Sequence, residues 1–303
     1  MTADNHITLT ECPRDAFQAF PRFIPTERKT AYMNRLIKAG ARRIDFGSFV
    51  SPKAVPQMAD TASLFENMKA PPGLYLIAIV ANLRGVEGLV ACNHKFGHTG
   101  NRRIHAAGFP MSVNETFQKR NTNKSLDEAW DELGEIATLC KKEQIDLVVY
   151  LSMAFGNPYG EAHEAAHVTE AAKRAQDLGA TTVQLADTVG VASAEQVGEV
   201  FHAVKSILRD MPLGVHLHAT PRTLRDKVTS ALEAGCRLFD SAIGGIGGCP
   251  FAEDDLVGNM DTLQLLPLLS ELGYNTEYTI DALLDCAAEA QELQRKFGDG
   301  SEH

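Results

Sequence analysis

Leu178-Gly179-Ala180-Thr181-Thr182-Val183-Gln184-Leu185-Ala186-Asp187 carries a helix end, a break, a strand and an acid in close succession. Gly179 stands where a helix C-terminus calls for a left-handed residue. The run Thr182–Ala186 reads as a strand covered on both faces, and Asp187 closes it. The same punctuation recurs at Ala39-Gly40 and Ala234-Gly235, each followed within a few residues by a strand-like run. Working outward, runs of this kind fall at residues 7–11, 43–47, 74–81, 103–108, 147–152, 182–186, 214–218 and 238–242. Amphipathic stretches fill the gaps between them. Ser125 with Glu128, and Ser193 with Gln196, are capping boxes that open two of these helices. The second helix carries a stripe of Val197, Val200, Phe201, Val204 and Leu208. Eight strands alternating with helices predict an α/β fold, a closed (β/α)8 TIM barrel, with the barrel over about 7–258. Two extra helices, near 261–272 and 280–296, follow within about 259–297, and the tail from 297 to 303 is expected to fray. No linker divides residues 1–303, so one domain is expected. A doubly wound open sheet is the alternative, because periodicity alone does not show closure.

Composition narrows the function. At 303 residues the chain can bury about three-quarters of its unfolded surface. Its 44% hydrophobic and 22% charged residues are globular in balance. A net charge of -10 argues against general binding to nucleic acid or membrane surfaces. The longest apolar run, residues 74–83, is half of what a bilayer span needs. Residues 1–6 are polar and carry no signal-peptide pattern. The six cysteines lie far apart, as in a reducing compartment. The expectation is a cytoplasmic protein acting on something small.

In such barrels the chemistry sits at the C-terminal ends of the strands. Arg14-Asp15, Asp45, Asn82, Asp187 and His216-Leu217-His218 all fall there, as does a glycine-rich loop, Gly244-Gly245-Ile246-Gly247-Gly248-Cys249-Pro250. Residues two apart on a strand share a face, so His216 and His218 both enter the mouth. With Asp15 they make a mixed nitrogen and oxygen set suited to Mn²⁺, Mg²⁺, Fe²⁺ or Zn²⁺, the alternative being two packed histidines. Arg14 is placed to hold a carboxylate or steady an enolate oxygen, or else forms a rim salt bridge. Asp45 and Asp187, acidic at costly depth, are paired or functional, in acid–base work or in supporting the metal. The glycine loop reads as a mobile lid bearing a thiol, Cys249, that can exchange a proton. His163-Glu164-Ala165-Ala166-His167 matches the H-E-x-x-H metalloprotease pattern, but no extended third-ligand pattern follows, and two histidines on a solvated helix are expected. Lys119-Arg120, with Lys124 and Arg102-Arg103, forms a basic cluster, either a solvated face or a seat for a nucleotide phosphate.

Several segments resemble the 3-hydroxy-3-methylglutaryl-CoA (HMG-CoA) lyases, members of the DRE-TIM metallolyase superfamily. Thr10-Glu11-Cys12-Pro13-Arg14-Asp15-Ala16-Phe17-Gln18 resembles their PRDGLQ opening. Ser48-Phe49-Val50-Ser51-Pro52-Lys53, continuing to Val55-Pro56-Gln57-Met58, is similar to their SFVSPKWVPQM stretch. Ala186-Asp187-Thr188-Val189-Gly190-Val191, the His216/His218 pair and Gly247-Gly248-Cys249-Pro250-Phe251 follow in the family's order. The resemblance implies a divalent-metal-dependent retro-Claisen lyase, using Mg²⁺ or Mn²⁺, that cleaves an acyl-CoA into acetyl-CoA and a keto acid. It implies Asp15, His216, His218 and Asn259 as metal ligands and Arg14 as the enolate's partner. Asp45, Asp187, His216 and Cys249 would join Arg14 in catalysis. Lys119, Arg120, Asn121 and Asn123 would contact CoA, and a homodimer is suggested. Five departures stand out: Asp45 for the family's glutamate, Ala219 for the aspartate after the second histidine, Cys12 and Ala16 for the glycines flanking PRD, Asn114 for a serine, and one extra residue with the acidic Glu253-Asp254-Asp255 before Asn259. They point to an HMG-CoA-lyase-like enzyme with a different 3-hydroxyacyl-CoA as substrate. The rivals are a related aldolase or Claisen-condensing enzyme on another acyl-CoA or a 2-keto acid, and a non-catalytic metal-binding barrel.

Overall fold

Eight parallel strands close on themselves in sequence order: β1 (Thr8–Glu11), β2 (Arg43–Ser48), β3 (Tyr75–Ile79), β4 (Ala106–Ser112), β5 (Asp146–Ser152), β6 (Thr182–Ala186), β7 (Leu213–His216) and β8 (Leu238–Ser241). The computed structural model describes residues 5–97, 102–247 and 257–298. Closure is direct: β1 pairs with β8 from Thr8 against Leu238 to Glu11 against Ser241. The barrel expected from the sequence is the one found, with helices α1 (Pro13–Phe17), α2 (Thr26–Lys38), α3 (Thr61–Asn67), α4 (Leu83–Phe96), α5 (Glu115–Thr122), α6 (Leu126–Lys142), α7 (Ala165–Leu178), α8 (Ala194–Leu208) and α9 (Leu224–Glu233). The C-terminal pair is α10 (Thr262–Glu271) and α11 (Ile280–Leu293), the latter running into a short π turn to Gly298. Residues 299–303, where fraying was expected, lie outside the described residues. Both capping boxes form, at Ser125/Glu128 and Ser193/Gln196. Among the described residues no helix is long and apolar enough to cross a membrane.

Two strands depart from expectation. β4 begins at Ala106 and not at 103, and it runs on to Ser112. The reason is that Arg102 and Arg103 turn aside, donating to the Glu66 and Met68 carbonyls and to the Glu143 carbonyl. β7 ends at His216, and His218 instead bridges antiparallel to Asn259.

Side-chain parity divides the strands into two layers. Outward residues such as Leu9, Ile44, Leu76, Val149, Leu185, Val215 and Phe239 join the large core beneath the helices. Inward residues split by side. Along β3 to β5 they form a separate apolar cluster of Ile77, Ile79, Ala106, Val148 and Tyr150. On the other side, from β6 round to β2, buried Gln184, Asp240, Thr10 and Asp45 line the bore. That polar arc is what positions the site.

Candidate active site

Asp15 lies on α1, just past β1, with Arg14 beside it. Arg14 is held on several sides. Its Nε donates to Asp45 Oδ1 and Oδ2 at 3.2 and 3.0 Å, and its Nη2 also bonds Asp45. Nη1 donates to Asp15 Oδ1 and to Gln18 Oε1, each at 3.1 Å. A guanidinium has five N–H groups. Nε uses one, Nη2 one and Nη1 two, which leaves a single Nη2 hydrogen for a substrate oxygen. Gln18 also donates to Asp15 Oδ1 at 2.9 Å, and Asn259 Nδ2 donates to Asp15 Oδ2 at 2.8 Å. Burial alone would raise the Asp15 pKa, but Arg14, His216 and Asn259 outweigh it and hold it at about 2. Burial pushes Asp45 up to about 6, while the Arg14 contacts keep it ionised at neutral pH.

His216 Nδ1 faces Asp240 Oδ2 at 3.1 Å, and Asp240 Oδ1 accepts from Gln184 Nε2 at 2.7 Å. Gln184 reaches Asp240 by passing over Gly214, where a Cβ would lie 2.1 Å from Gln184 Oε1 and 2.7 Å from the Leu238 carbonyl. A side chain at 214 would therefore push Gln184 off Asp240. Burial opposes charge on His216, yet Asp240 and Asp15 raise its pKa overall. Burial and the neighbouring His216 lower His218 to about 4, so His218 is neutral. The two rings lie 5.5 Å apart, centroid to centroid.

The donor set fits a divalent ion. One donor atom each from Asp15, His216 and His218 lies within 4.8 Å of the other two. His218 Nδ1 is buried with no hydrogen-bond partner, which is costly for a polar atom unless something else takes it. His216, with Nδ1 on Asp240, has Nε2 left to offer, the usual arrangement of a metal-binding imidazole oriented by a carboxylate. Asn259 engages its amide nitrogen with Asp15 and, at 2.9 Å, the Ile246 carbonyl, so the amide oxygen is the atom it has for an ion. Gly247 (φ +101°) lets the loop pass here, since a Cβ would lie 2.6 Å from Asn259 Nδ2 and 3.1 Å from Ala16 Cα.

Other residues singled out in the sequence go elsewhere. Asp187 turns outward, because parity on β6 sends Gln184 into the bore and Asp187 towards α9. There Lys227 Nζ meets it at 2.7 Å and also donates to the His218 carbonyl at 2.8 Å. Burial raises Asp187 against the pull of Lys227. Asn82 caps α4 and Asn114 caps α5, each through its side chain. The basic cluster is divided: Arg102 and Arg103 precede β4 while Lys119 and Arg120 follow it, so a strand of 7 residues separates them. Lys119 pairs with Glu115 at 2.8 Å, Lys124 pairs with Glu132, and Arg120 lies over the Tyr159 ring. Asn121 is exposed on α5, and Asn123 ends that helix in a left-handed conformation. His163 and His167 do not share a helix face, since α7 begins only at Ala165 and His163 Nε2 contacts the Ala154 carbonyl at 2.8 Å. Cys249, Pro250, Phe251 and the acidic Glu253-Asp254-Asp255 lie outside the described residues. Gln18, Gln184, Lys227 and Asp240 were given no role from sequence. The available signal was a polar side chain at an inward strand position, which Gln184 and Asp240 both show.

A closed (β/α)8 barrel with a carboxylate and two imidazoles gathered at its mouth is a barrel enzyme with a candidate metal site. The chain belongs to the HMGL-like family, whose pattern it matches over residues 7–289. It is 32% identical to the cytoplasmic 3-hydroxy-3-methylglutaryl-CoA lyase of Rattus norvegicus over 276 residues, 90% of this chain and 76% of that protein. It is 30% identical to the hydroxymethylglutaryl-CoA lyase YngG of Bacillus subtilis over 291 residues, 96% of this chain and 94% of that protein. Among solved structures, the HMG-CoA lyase of Brucella melitensis superposes with a TM-score of 0.88 at 30% identity, covering 96% of this chain and 99% of that one. The HMG-CoA lyase of Acinetobacter baumannii, in complex with coenzyme A and 3-methylmalate, gives 0.87 at 27% identity over 100% and 98% of the two chains.

Proposed function

We propose that the protein is a carbon–carbon lyase that cleaves a 3-hydroxyacyl-CoA of the 3-hydroxy-3-methylglutaryl-CoA type into acetyl-CoA and a keto acid, acetoacetate where HMG-CoA is the substrate. The observation that carries this reading is the Asp15, His216 and His218 cluster with Arg14 locked beside it. Asp15, His216, His218 and Asn259 would hold Mg²⁺ or Mn²⁺, which when bound supplies the Lewis acidity that makes a tertiary alcohol easier to deprotonate. In the cleavage the alcohol proton goes to a basic side chain of the mouth, the C2–C3 electrons move into the thioester as an enolate, and the alcohol carbon becomes the ketone. Arg14 meets the enolate oxygen with its remaining Nη2 hydrogen. Its plane is already fixed by Asp45, so little reorganisation is needed as charge develops. His216 keeps its ring orientation through Asp240. Cys249 delivers the proton that converts the enolate carbon to a methyl group. Lys119, Arg120, Asn121 and Asn123, on or ending α5 just past β4, contact CoA; the Acinetobacter enzyme bound with coenzyme A supports a CoA ester as the substrate class.

Asp45, one methylene shorter than the family's glutamate, and Ala219 support a physiological substrate other than HMG-CoA. Ala219 borders a cavity of about 500 Å³ with Thr220, Gly244 and Val257, which meets the proposed ligand set only at Asn259. We place the protein in the cytoplasm as a homodimer, the latter checked by analytical ultracentrifugation. The test of function is mass-spectrometric detection of CoA products from HMG-CoA with Mg²⁺ or Mn²⁺, run beside His216→Ala. Acetyl-CoA formed by the native protein and lost in the variant is the expected result. No acetyl-CoA from any 3-hydroxyacyl-CoA tried, with metal bound and the fold intact, overturns the lyase reading.

A further inference from the structure

Below the Asp15–His216–His218 set, one step deeper in the bore, lies a second group of donors. Cys12 follows β1 and shares the inward parity of Thr10, whose carbonyl its thiol approaches at 3.5 Å. Its Sγ, a His216 ring nitrogen and an Asp240 carboxylate oxygen all lie within 4.8 Å of one another. Cys12 is 1% exposed, so no surface explanation is open to it. An independent sign points to an occupant. The Tyr150 hydroxyl, on a residue 8% exposed, is buried without a hydrogen-bond partner, and it feels the charges of Asp240 and Asp45. The Tyr150 ring also meets His216 edge-on at 6.1 Å.

We propose that Cys12, His216 and Asp240 form a second metal site, selective for a thiophilic ion such as Zn²⁺ or Cd²⁺, which shares His216 with the site above. A sulfur donor disfavours Mg²⁺ and Mn²⁺ and favours softer or borderline ions, so the two sites sort metals by chemistry. Zinc binds sulfur at about 2.3 Å and imidazole nitrogen at about 2.0 Å, so the donors need to draw in by roughly 1 Å. The fourth position falls to Tyr150 or a water it holds.

Because both sites draw on the one His216 ring, they compete for it. Binding below takes His216 through Nδ1, the nitrogen that faces Asp240. The Nδ1 proton moves to Nε2, and the Cys12 thiol proton leaves to solvent. With Nε2 protonated, the ring has no lone pair for an ion above. A divalent ion entering as one proton leaves adds one positive charge, which the Asp240 carboxylate offsets in a bore where an uncompensated charge would be costly. A thiophilic ion therefore displaces the upper metal without touching Asp15 or His218.

The test uses the whole protein and does not depend on catalysis, so it can fail separately from the lyase reading. Cd²⁺ is titrated into native protein, Cys12→Ser and Cys12→Gly, and the ultraviolet cadmium–thiolate band is recorded. Bound Mn²⁺ is followed by electron paramagnetic resonance in the same samples, and circular dichroism confirms that each variant folds. The expected result is a band that both variants lack, with Cd²⁺ releasing Mn²⁺ from the native protein and requiring much more to do so in the variants. The same band in folded variants, or release of Mn²⁺ at the same Cd²⁺ concentration in all three proteins, overturns the proposal.

Discussion

Glu11 is 1% exposed, and its carboxylate is met by the Ile243 N–H at 2.8 Å and the Thr262 hydroxyl at 2.7 Å, with no cation supplying either bond. Thr262 in turn lies 2.9 Å from Ser241 Oγ, so Glu11 ties β1 to the end of β8 and the start of α10. Burial, only partly offset by these bonds, raises its pKa from 4.5 to about 8. Between those values the folded protein keeps a proton that the unfolded chain releases, so the contribution of Glu11 to stability is greatest at low pH and declines as pH rises from 4.5 to about 8. For one such group the linkage amounts to about 4 kcal/mol between pH 5 and pH 9. Spread over the unfolding entropy typical of a chain this long, that is roughly 6 °C in melting temperature. Glu11→Gln removes the titration and keeps the geometry. The amide oxygen accepts from Ile243, and the amide nitrogen donates to Thr262, whose hydrogen turns to Ser241. Thermal unfolding of both proteins across pH 5 to 9 should show the native melting temperature falling relative to the variant by several degrees. Parallel curves, with no change in the difference across that range, would refute a buried neutral carboxyl.

Two further outcomes follow from the same geometry. Asp240→Asn leaves His216 an uncharged acceptor, and Mn²⁺ affinity by isothermal titration calorimetry should fall about 10- to 100-fold with the fold retained; an unchanged affinity contradicts the relay from Gln184 through Asp240 to His216. Lys227→Met strands buried Asp187 and should destabilise the protein by about 3–5 kcal/mol, with Asp187→Asn in the same chain recovering most of the loss; a single variant as stable as the native protein shows that the pair carries no weight.

Much of this was legible in the sequence because it rests on local rules. Gly179 marks a helix end, and the structure caps α7 there with a left-handed residue at φ 107°. Ser125 and Ser193 announce helix starts through bonds to residues three positions on, and eight such alternations point to a barrel, although closure itself shows only in the pairing of β1 with β8. His216 and His218 could be paired by spacing alone, even though β7 stops between them. What could not be read depends on contacts between distant segments. Asp187 belongs to Lys227, 40 residues away, because α9 lies over the outward face of β6. Asn259 reaches Asp15 across 244 residues through the closing pair of strands. Arg102 and Arg103 were set beside Lys119 by closeness in sequence, whereas a strand carries the chain from one end of the barrel to the other between them. The pairing of Cys12 with Asp240 is likewise a product of register, Thr10 lying opposite Asp240.

The metal-type donors straddle the seam where the first strand meets the last. Asp15 follows β1, His216 ends β7 and Asn259 comes after β8, so no stretch of chain shorter than most of the barrel contains the set. During synthesis the early strands can pair, but the donors stay apart until β8 docks against β1. On the proposed ligand set, metal capture would thus come late in folding. A chain without β8 would lack the pairing that brings Asp15 to the two histidines, and an ion held by the full set would tie the two ends of the ribbon together, as a clasp closes a bracelet.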